Sequence, residues 1–425
     1  MGTYKFRIAD QILAEKLEGK GAVLVQGPKW CGKTTTSIQQ AGSILYMADP
    51  DKMEQNIRLA NYVPSNLLQG ATPRLIDEWQ LVPKLWDAVR FAVDQRGEMG
   101  QFILTGSAVP ANTAEIFHTG TGRFSWLTMR TMSLFESGDS TGAISLEALF
   151  DQPKQIFAPN PLDINALAFL TCRGGWPQAC LMNKTKTALN QAFDYYDAIV
   201  TADISRVDNV ERNPERVKRL MRSYARNQGS QSPATLLKAD MATNDSDTLD
   251  EDTVVSYINA LKKIFVVEDM TAWNPNLRSK AAIRTAETRY FTDPSIATAA
   301  LGLGPKDLIN DLNTFGFMFE TMCVRDLRVY AEALGGSVYH YRDSNKLECD
   351  AVVHLRNGSY GLVEIKLGGD KLVEEGAANL KKLNAILDTT KMKSPSFMMV
   401  LTGTDGFAYQ RDDGIYVVPV GCLKN

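Results

Sequence analysis

The sequence predicts an α/β protein built from an N-terminal parallel sheet, a helical middle ending in a winged-helix pattern, and a C-terminal mixed α/β part. Three observations predict it. Short apolar runs alternate with helix-length amphipathic stretches over residues 1–155. Helical periodicity dominates residues 166–230. Beyond residue 310 the pattern runs helix, strands, helix, strands. At about 100–200 residues per domain, 425 residues accommodate two to four domains. The expected modules are 1–155, 156–230, 231–300 and 301–425.

The composition is that of a globular chain able to bury several cores, with 44 % apolar and 22 % charged residues. Net charge is −3, so a nucleic-acid contact must come from a local basic patch rather than an overall basic surface. Six cysteines (Cys31, Cys172, Cys180, Cys323, Cys349, Cys422) form no CxxC pair and fit no zinc spacing, which predicts reduced thiols and a cytoplasmic protein. The first residues lack the apolar core of a signal peptide, Phe6 stands where a myristoylation signal wants Ser or Thr, and no apolar run reaches about 18 residues, so no membrane partner is expected.

In the first module the apolar runs are 22–26, 43–48, 74–77, 102–106 and 124–129. Continuous apolar runs with no polar alternation predict strands covered on both faces, as in a parallel sheet. Residues 136–165, rich in Gly, Ser, Asp and Pro, read as a linker. In the middle module Val254, Ile258, Leu261 and Phe265 fall at helical spacing, and two short stretches, 266–270 and 289–293, read as the strands of a wing around a Pro/Asn-rich excursion.

The segment Gly27-Pro28-Lys29-Trp30-Cys31-Gly32-Lys33-Thr34 matches GxxxxGK[ST], and Thr35 follows it. It sits after one apolar run and before a helix-compatible stretch, the context the motif needs to bind a nucleoside triphosphate. Its glycines let backbone N–H groups curl around phosphate, and the helix N-terminus adds partial positive charge. Lys33 is positioned for the β- and γ-phosphates and Thr34 for Mg²⁺. Arg74-Leu75-Ile76-Asp77-Glu78 is an apolar strand ending in two carboxylates: Asp77 for the Mg²⁺ shell and Glu78 to polarise water. Thr105 and Ser107 end another strand and are candidates to sense the γ-phosphate. Arg123, in the loop Gly120-Thr121-Gly122-Arg123, is a candidate arginine finger for a neighbouring copy in a homo-oligomer.

These motifs, together with GPKWCGKTTTS, FILTGSA, TGRFSWLTMRTMSLFE, RGGWPQAC and RYFTDPSIATAALG, resemble the prokaryotic AAA+-like ATPases fused to a C-terminal domain of unknown function. The resemblance covers most of the chain. It implies an ASCE-type sheet with the Asp77 strand beside the P-loop strand, and it assigns Arg123 to a recurring Gly-Arg position. Trp30 and Cys31 depart from the usual residues inside the loop.

In the last module Asp350 is followed by Glu364-Ile365-Lys366, which resembles the core of PD-(D/E)XK restriction-endonuclease-like domains. That chemistry needs carboxylates on Mg²⁺ and a lysine to position or activate water. Glu364 and Lys366 share one face of a strand. A two-residue turn at Asn357-Gly358 would put Asp350 on the other face. A three-residue loop, Arg356-Asn357-Gly358, would put it across from Glu364 with Gly358 left-handed, and this register is expected. Glu320, on an apolar helix, resembles the first-helix glutamate of the same fold and joins Asp350 and Glu364 as an expected metal ligand.

The functional expectation is Mg²⁺-dependent ATP hydrolysis coupled to a nuclease-like domain acting on DNA or RNA. The alternative is an ATP-driven regulatory switch whose nuclease-like domain is silent and binds a protein. The basic stretch containing Arg206, Arg212, Arg216, Lys218, Arg219, Arg222 and Arg226 would either supply phosphate contacts or form a solvated face. The wing-proximal helix instead starts among Asp247, Asp250, Glu251 and Asp252, which repel phosphate.

Overall fold

The computed structural model describes residues 4–107, 119–151, 155–207, 210–242 and 250–425; Asp247 lies outside them. The chain is mixed α/β and forms two compact units. One comprises Met1–Thr131, Ala198–Asn213 and Ser256–Val266. The other comprises Met132–Asp197, Pro214–Val255 and Val267–Asn425.

The first unit is built on strands β1 (Ala22–Gln26), β2 (Ser43–Tyr46), β3 (Arg74–Asp77), β4 (Phe102–Gly106) and β5 (Phe124–Thr128). They form a wholly parallel sheet in the order β2-β3-β4-β1-β5. Val23, Val25, Leu75, Ile76, Ile103 and Leu104 are out of contact with water, as strands buried on both faces require. Trp79, Trp86 and Phe124 pack in a row beneath the sheet, Trp86 stacking on Phe124 at 3.9 Å between ring centres. The order corrects one expectation. The Asp77 strand is not beside the P-loop strand, because β4 is inserted between β1 and β3 and pairs with both. Four fully buried residues of β4, Phe102, Ile103, Leu104 and Thr105, make it the natural centre of the sheet.

The second unit holds β6 (Ile144–Ser145), β7 (Phe157–Pro159), β8 (Gly336–Arg342), β9 (Glu348–Leu355), β10 (Tyr360–Lys366), β11 (Phe397–Thr402), β12 (Phe407–Gln410), β13 (Tyr416–Pro419) and β14 (Leu423–Lys424). Seven of these form one mixed sheet in the order β7-β12-β13-β11-β10-β9-β8, while β6 pairs with β14. The helix Asp370–Ile386 connects the parallel pair β10 and β11 and buries Val373, Ala377, Leu380 and Leu383 against the sheet. The long helix Leu312–Ala333 is buried along most of its length.

Two sequence readings change here. The stretch taken as a linker contributes β6 and β7 to sheets completed by the C-terminal residues. Ile144, Leu146, Leu149 and Ala158 are buried, and Pro159, which lacks an N–H, sits on an edge strand where none is needed. The stretches read as wing strands meet only in isolated antiparallel bridges, Val267 with Phe291 and Met270 with Thr288. The intervening excursion bridges to the large sheet and its helix instead, through Ala272 with His340, Ile283 with Asp343 and Leu277 with Leu387. The middle is otherwise helical, with Pro214–Arg226, Ala234–Ala242 and Glu251–Lys263 preceding those bridges.

Candidate functional site

In the first unit the loop Gly27–Gly32 leaves the C-terminal end of β1 and enters the helix Lys33–Gln40. Two glycines permit its shape. Gly27 has φ +149°, and a Cβ there would lie 2.0 Å from the Met129 carbonyl oxygen. Gly32 has φ +102° and precedes the helix in a left-handed conformation. Cys31 is wholly buried, its thiol directed to the Met129 carbonyl oxygen at 3.4 Å, so it is a packing residue beneath the loop. Trp30, also left-handed, keeps 63 % of its surface exposed, and Thr35 is exposed on the first helical turn.

Lys33 is buried, its ammonium donating to the carbonyl oxygens of Gly27 at 3.0 Å and Pro28 at 2.7 Å. Its charge is thus held inside the curl of the loop. Lys29 pairs with Asp203 at 2.6 Å. Arg7, buried before the first helix, donates to Cys31 O at 2.8 Å and Arg130 O at 2.9 Å, clamping the loop to the segment after β5.

Asp77 ends β3 and is the point where the other strands' residues meet. One of its oxygens accepts from Thr34 Oγ1 at 2.7 Å and from Thr105 Oγ1 at 2.5 Å. Thr105 reaches it because β4 lies between the two motif-bearing strands, opposite Asp77 in register. Ser107 follows, also buried. Glu78 takes a left-handed conformation at φ +56°, and the Gln80 side chain donates to its carboxylate. A hydroxyl, a carboxylate and a phosphate-binding loop on one sheet edge are hard oxygen ligands suited to Mg²⁺, which keeps several waters and binds through one or two protein oxygens and substrate phosphates. The residues therefore fit Mg²⁺ and a triphosphate.

Arg123 is not brought to this edge. Ala22 pairs with Phe124 and Gln26 with Thr128, so Arg123 precedes the opposite end of the parallel sheet. There its guanidinium pairs with Asp94 at 2.7 Å.

In the second unit the β9–β10 hairpin takes the three-residue register. Leu355 N donates to Ser359 O, Gly358 N donates to Leu355 O, and Gly358 has φ +82°. Tyr360 lies opposite His354 and Val363 opposite Ala351, the register that sets Glu364 across from Asp350. Lys366 Nζ lies 3.0 Å from Asp350 and 2.7 Å from Glu364. Asp350 also accepts from Ile365 N at 2.7 Å. Glu364 is 1 % exposed, and its other oxygen, Oε1, has no hydrogen-bond partner.

Burial, then the charge of Asp350, pushes the Glu364 carboxyl well above the ordinary range; Lys366 opposes this. Burial pulls the Lys366 ammonium down, but Asp350 and Glu364 outweigh it and raise its pKa. Glu320 accepts from Tyr290 OH, and burial followed by Asp350 pushes its pKa up to about 8. Glu320 and Lys366 line a cavity of about 350 Å³ whose mouth carries the exposed apolar side chains of Leu312, Phe317 and Leu372.

Among the described residues no group of three or more His, Cys, Asp or Glu is placed to hold a metal ion. Glu320, Asp350 and Glu364 are therefore not gathered as the expected three-ligand set. The Lys366 ammonium binds both strand carboxylates, and Tyr290 donates to Glu320.

With this geometry in place, the comparisons with known proteins divide the chain. Residues 19–137 match the family described as AAA domain. The N-terminal unit carries a P-loop ATPase domain. Residues 164–307 and 315–423 match two domains of unknown function, DUF8612 and DUF4143. Two uncharacterized proteins, from Mycobacterium tuberculosis and Mycobacterium bovis, are each 23 % identical over 358 residues, spanning 83 % of this chain and 72 % of theirs. A Walker-type ATPase of Pyrococcus abyssi superposes with a TM-score of 0.43 at 14 % identity, covering 69 % of this chain and 94 % of that one. Among the described residues no helix is long and apolar enough to cross a membrane.

Sequence reasoning missed Arg7, Gln80, Met129 and Asp203. Arg7 and Asp203 lie in no recognisable motif; Met129 lies within TGRFSWLTMRTMSLFE and Gln80 two residues beyond Glu78, but neither position carries a side chain that the motif's chemistry calls for.

Proposed function

We propose that the chain is a cytoplasmic, Mg²⁺-dependent ATPase whose N-terminal unit binds ATP on Gly27–Thr35 and hydrolyses it. The observation that carries this reading is the convergence of Thr34 and Thr105 on one oxygen of Asp77 at the open end of the phosphate loop. Lys33 turns from the loop's own carbonyls to the β- and γ-phosphates, while Thr34 and Asp77 hold the hydrated ion. Mg²⁺, when bound, neutralises charge on the phosphates. Glu78 orients water and accepts its proton, and Thr105 and Ser107 sense the γ-phosphate. Arg123 serves a neighbouring copy as an arginine finger, after leaving Asp94.

The second unit is read as holding a PD-(D/E)XK-like domain, and ATP turnover is coupled to its action on nucleic acid. Asp350, Glu364 and Lys366 sharing one patch of sheet supports this reading. A second reading, an ATP-driven switch with a silent nuclease-like domain that binds a protein, is favoured by the Lys366 clamp across both carboxylates and by the apolar mouth of the cavity. The test is ATPase rate with and without single- and double-stranded DNA and RNA, alongside divalent-dependent cleavage. Stimulated turnover with cleavage that disappears in Lys366→Ala supports the first reading. Turnover indifferent to nucleic acid, with no cleavage, supports the second.

A further inference from the structure

The helix Thr185–Ala198 runs into a π-helical turn, Ile199–Asp203, and then the short helix Ile204–Arg206. Single π turns are uncommon and often lie at functional sites, because the extra residue re-aims the side chains that follow. Ile199, Val200 and Ile204 are buried, and the Asp203 side chain keeps only 12 % of its surface exposed. That carboxylate meets Lys29 of the phosphate loop at 2.6 Å, whereas the Lys29 side chain is 44 % exposed. The pair is therefore unequal: the acid is held in a poorly hydrated place and the cation stands on a loop that opens to water. The segment Ala198–Asn213 packs with the first unit although the chain on either side of it belongs to the second.

We infer that Asp203 is a nucleotide-responsive latch: its carboxylate holds Lys29 while the phosphate loop is empty and loses it when a triphosphate takes the lysine. The inference rests on the ATP-site reading above. A triphosphate is the stronger anion and brings several oxygens to the same loop, so it outcompetes one carboxylate for the ammonium. Once Lys29 turns away, Asp203 is left desolvated without its cation, and the Ile199–Arg206 segment rearranges to let water reach it. By linkage the reverse also holds. Whatever keeps Asp203 on Lys29 weakens nucleotide binding, and removing the acid strengthens it.

The experiment measures affinity of the full chain for a nonhydrolysable ATP analogue with Mg²⁺ in wild type, Lys33→Ala, Asp203→Asn and Asp203→Glu. The expected result is binding in wild type and none in Lys33→Ala. Asp203→Asn should bind about two- to five-fold more tightly than wild type, the range expected for one partly exposed ion pair. Asp203→Glu should stay near wild type. A residue serving only to shape the loop gives the opposite sign on removal, so unchanged or weaker binding in Asp203→Asn overturns the latch. Hydrogen exchange on wild type covers the case in which the variant misfolds. Amides of 199–206 should exchange faster with the analogue bound, and unchanged exchange in a protein that binds it overturns the latch as well. Absence of analogue binding in wild type instead overturns the ATP-site reading, and the latch with it.

Discussion

Thr34 and Asp77, 43 residues apart, are joined by a 2.7 Å hydrogen bond that links the start of the phosphate-loop helix to the end of β3. This bond fixes the hydroxyl and carboxylate proposed above as the Mg²⁺ ligands, with Thr105 bracing the same oxygen from β4. An arrangement made in advance reduces what ligand binding must spend on ordering.

Lys33→Ala should abolish nucleotide binding while leaving the fold intact. Its ammonium donates to two carbonyl oxygens of the loop itself, Gly27 and Pro28, and to no residue of another element among the described contacts. Equilibrium binding of labelled ATP checks this, and retained affinity would remove the site.

Glu78→Gln should bind ATP normally and hydrolyse it about 10²–10⁴-fold more slowly, the usual contribution of a positioned general base. Steady-state phosphate release beside ATP binding measures both quantities. Normal turnover would take Glu78 out of its role and leave Gln80 holding an idle carboxylate.

Gly27→Ala should disable the loop without touching a charged group. The added methyl would stand 2.0 Å from a backbone oxygen at a residue whose φ of +149° already disfavours side chains. The outcome expected is loss of ATP binding comparable to Lys33→Ala, read in the same assay; near-native affinity would show that the loop yields at Met129.

Lys366→Met should destabilise the second unit by about 3 kcal/mol, because it leaves the buried Glu364 and the partly buried Asp350 side by side without their cation. Urea unfolding at neutral pH, followed by tryptophan fluorescence, supplies the number. A change below about 0.5 kcal/mol, the usual size for a surface substitution, would mean the carboxylates have another cation.

His340, buried between the Ala286 carbonyl and Gln231, has its pKa lowered by burial. The folded chain therefore keeps this ring neutral where the unfolded chain, titrating near pH 6.5, has protonated it. The stability it contributes is full above about pH 6.5 and falls as pH drops toward the folded value. Thermal unfolding at pH 7.5 and 5.5 should show a larger drop in wild type than in His340→Gln; equal drops would assign the acid sensitivity elsewhere.

What the sequence revealed and what it hid follows from distance along the chain. The phosphate loop is encoded within eight consecutive residues, each with a local conformational demand, so strand, turn and helix were all legible. The β9–β10 register was legible for a different reason: either loop length gives Gly358 a positive φ, but only the three-residue loop sets Asp350 across from Glu364. Sheet order was not, because nothing local states that β4 enters between β1 and β3. Asp203 meets Lys29 across 174 residues and Arg7 meets Cys31 across 24, with no periodicity to announce either. The segment around Ala158 looked like a connector because three residues of edge strand with a proline carry almost no strand signal.

That edge strand bears on how the protein can be divided. The domain match over 315–423 begins well after β7, which pairs with β12 through Phe157, Ala158 and Pro159. A truncated version starting there would strip β12 of its neighbour and β14 of β6, leaving backbone donors and acceptors open beside the Phe407 ring. Autonomous folding of the C-terminal region thus demands about 170 residues of upstream chain that its family boundary omits, and shorter pieces would self-associate through their bare borders.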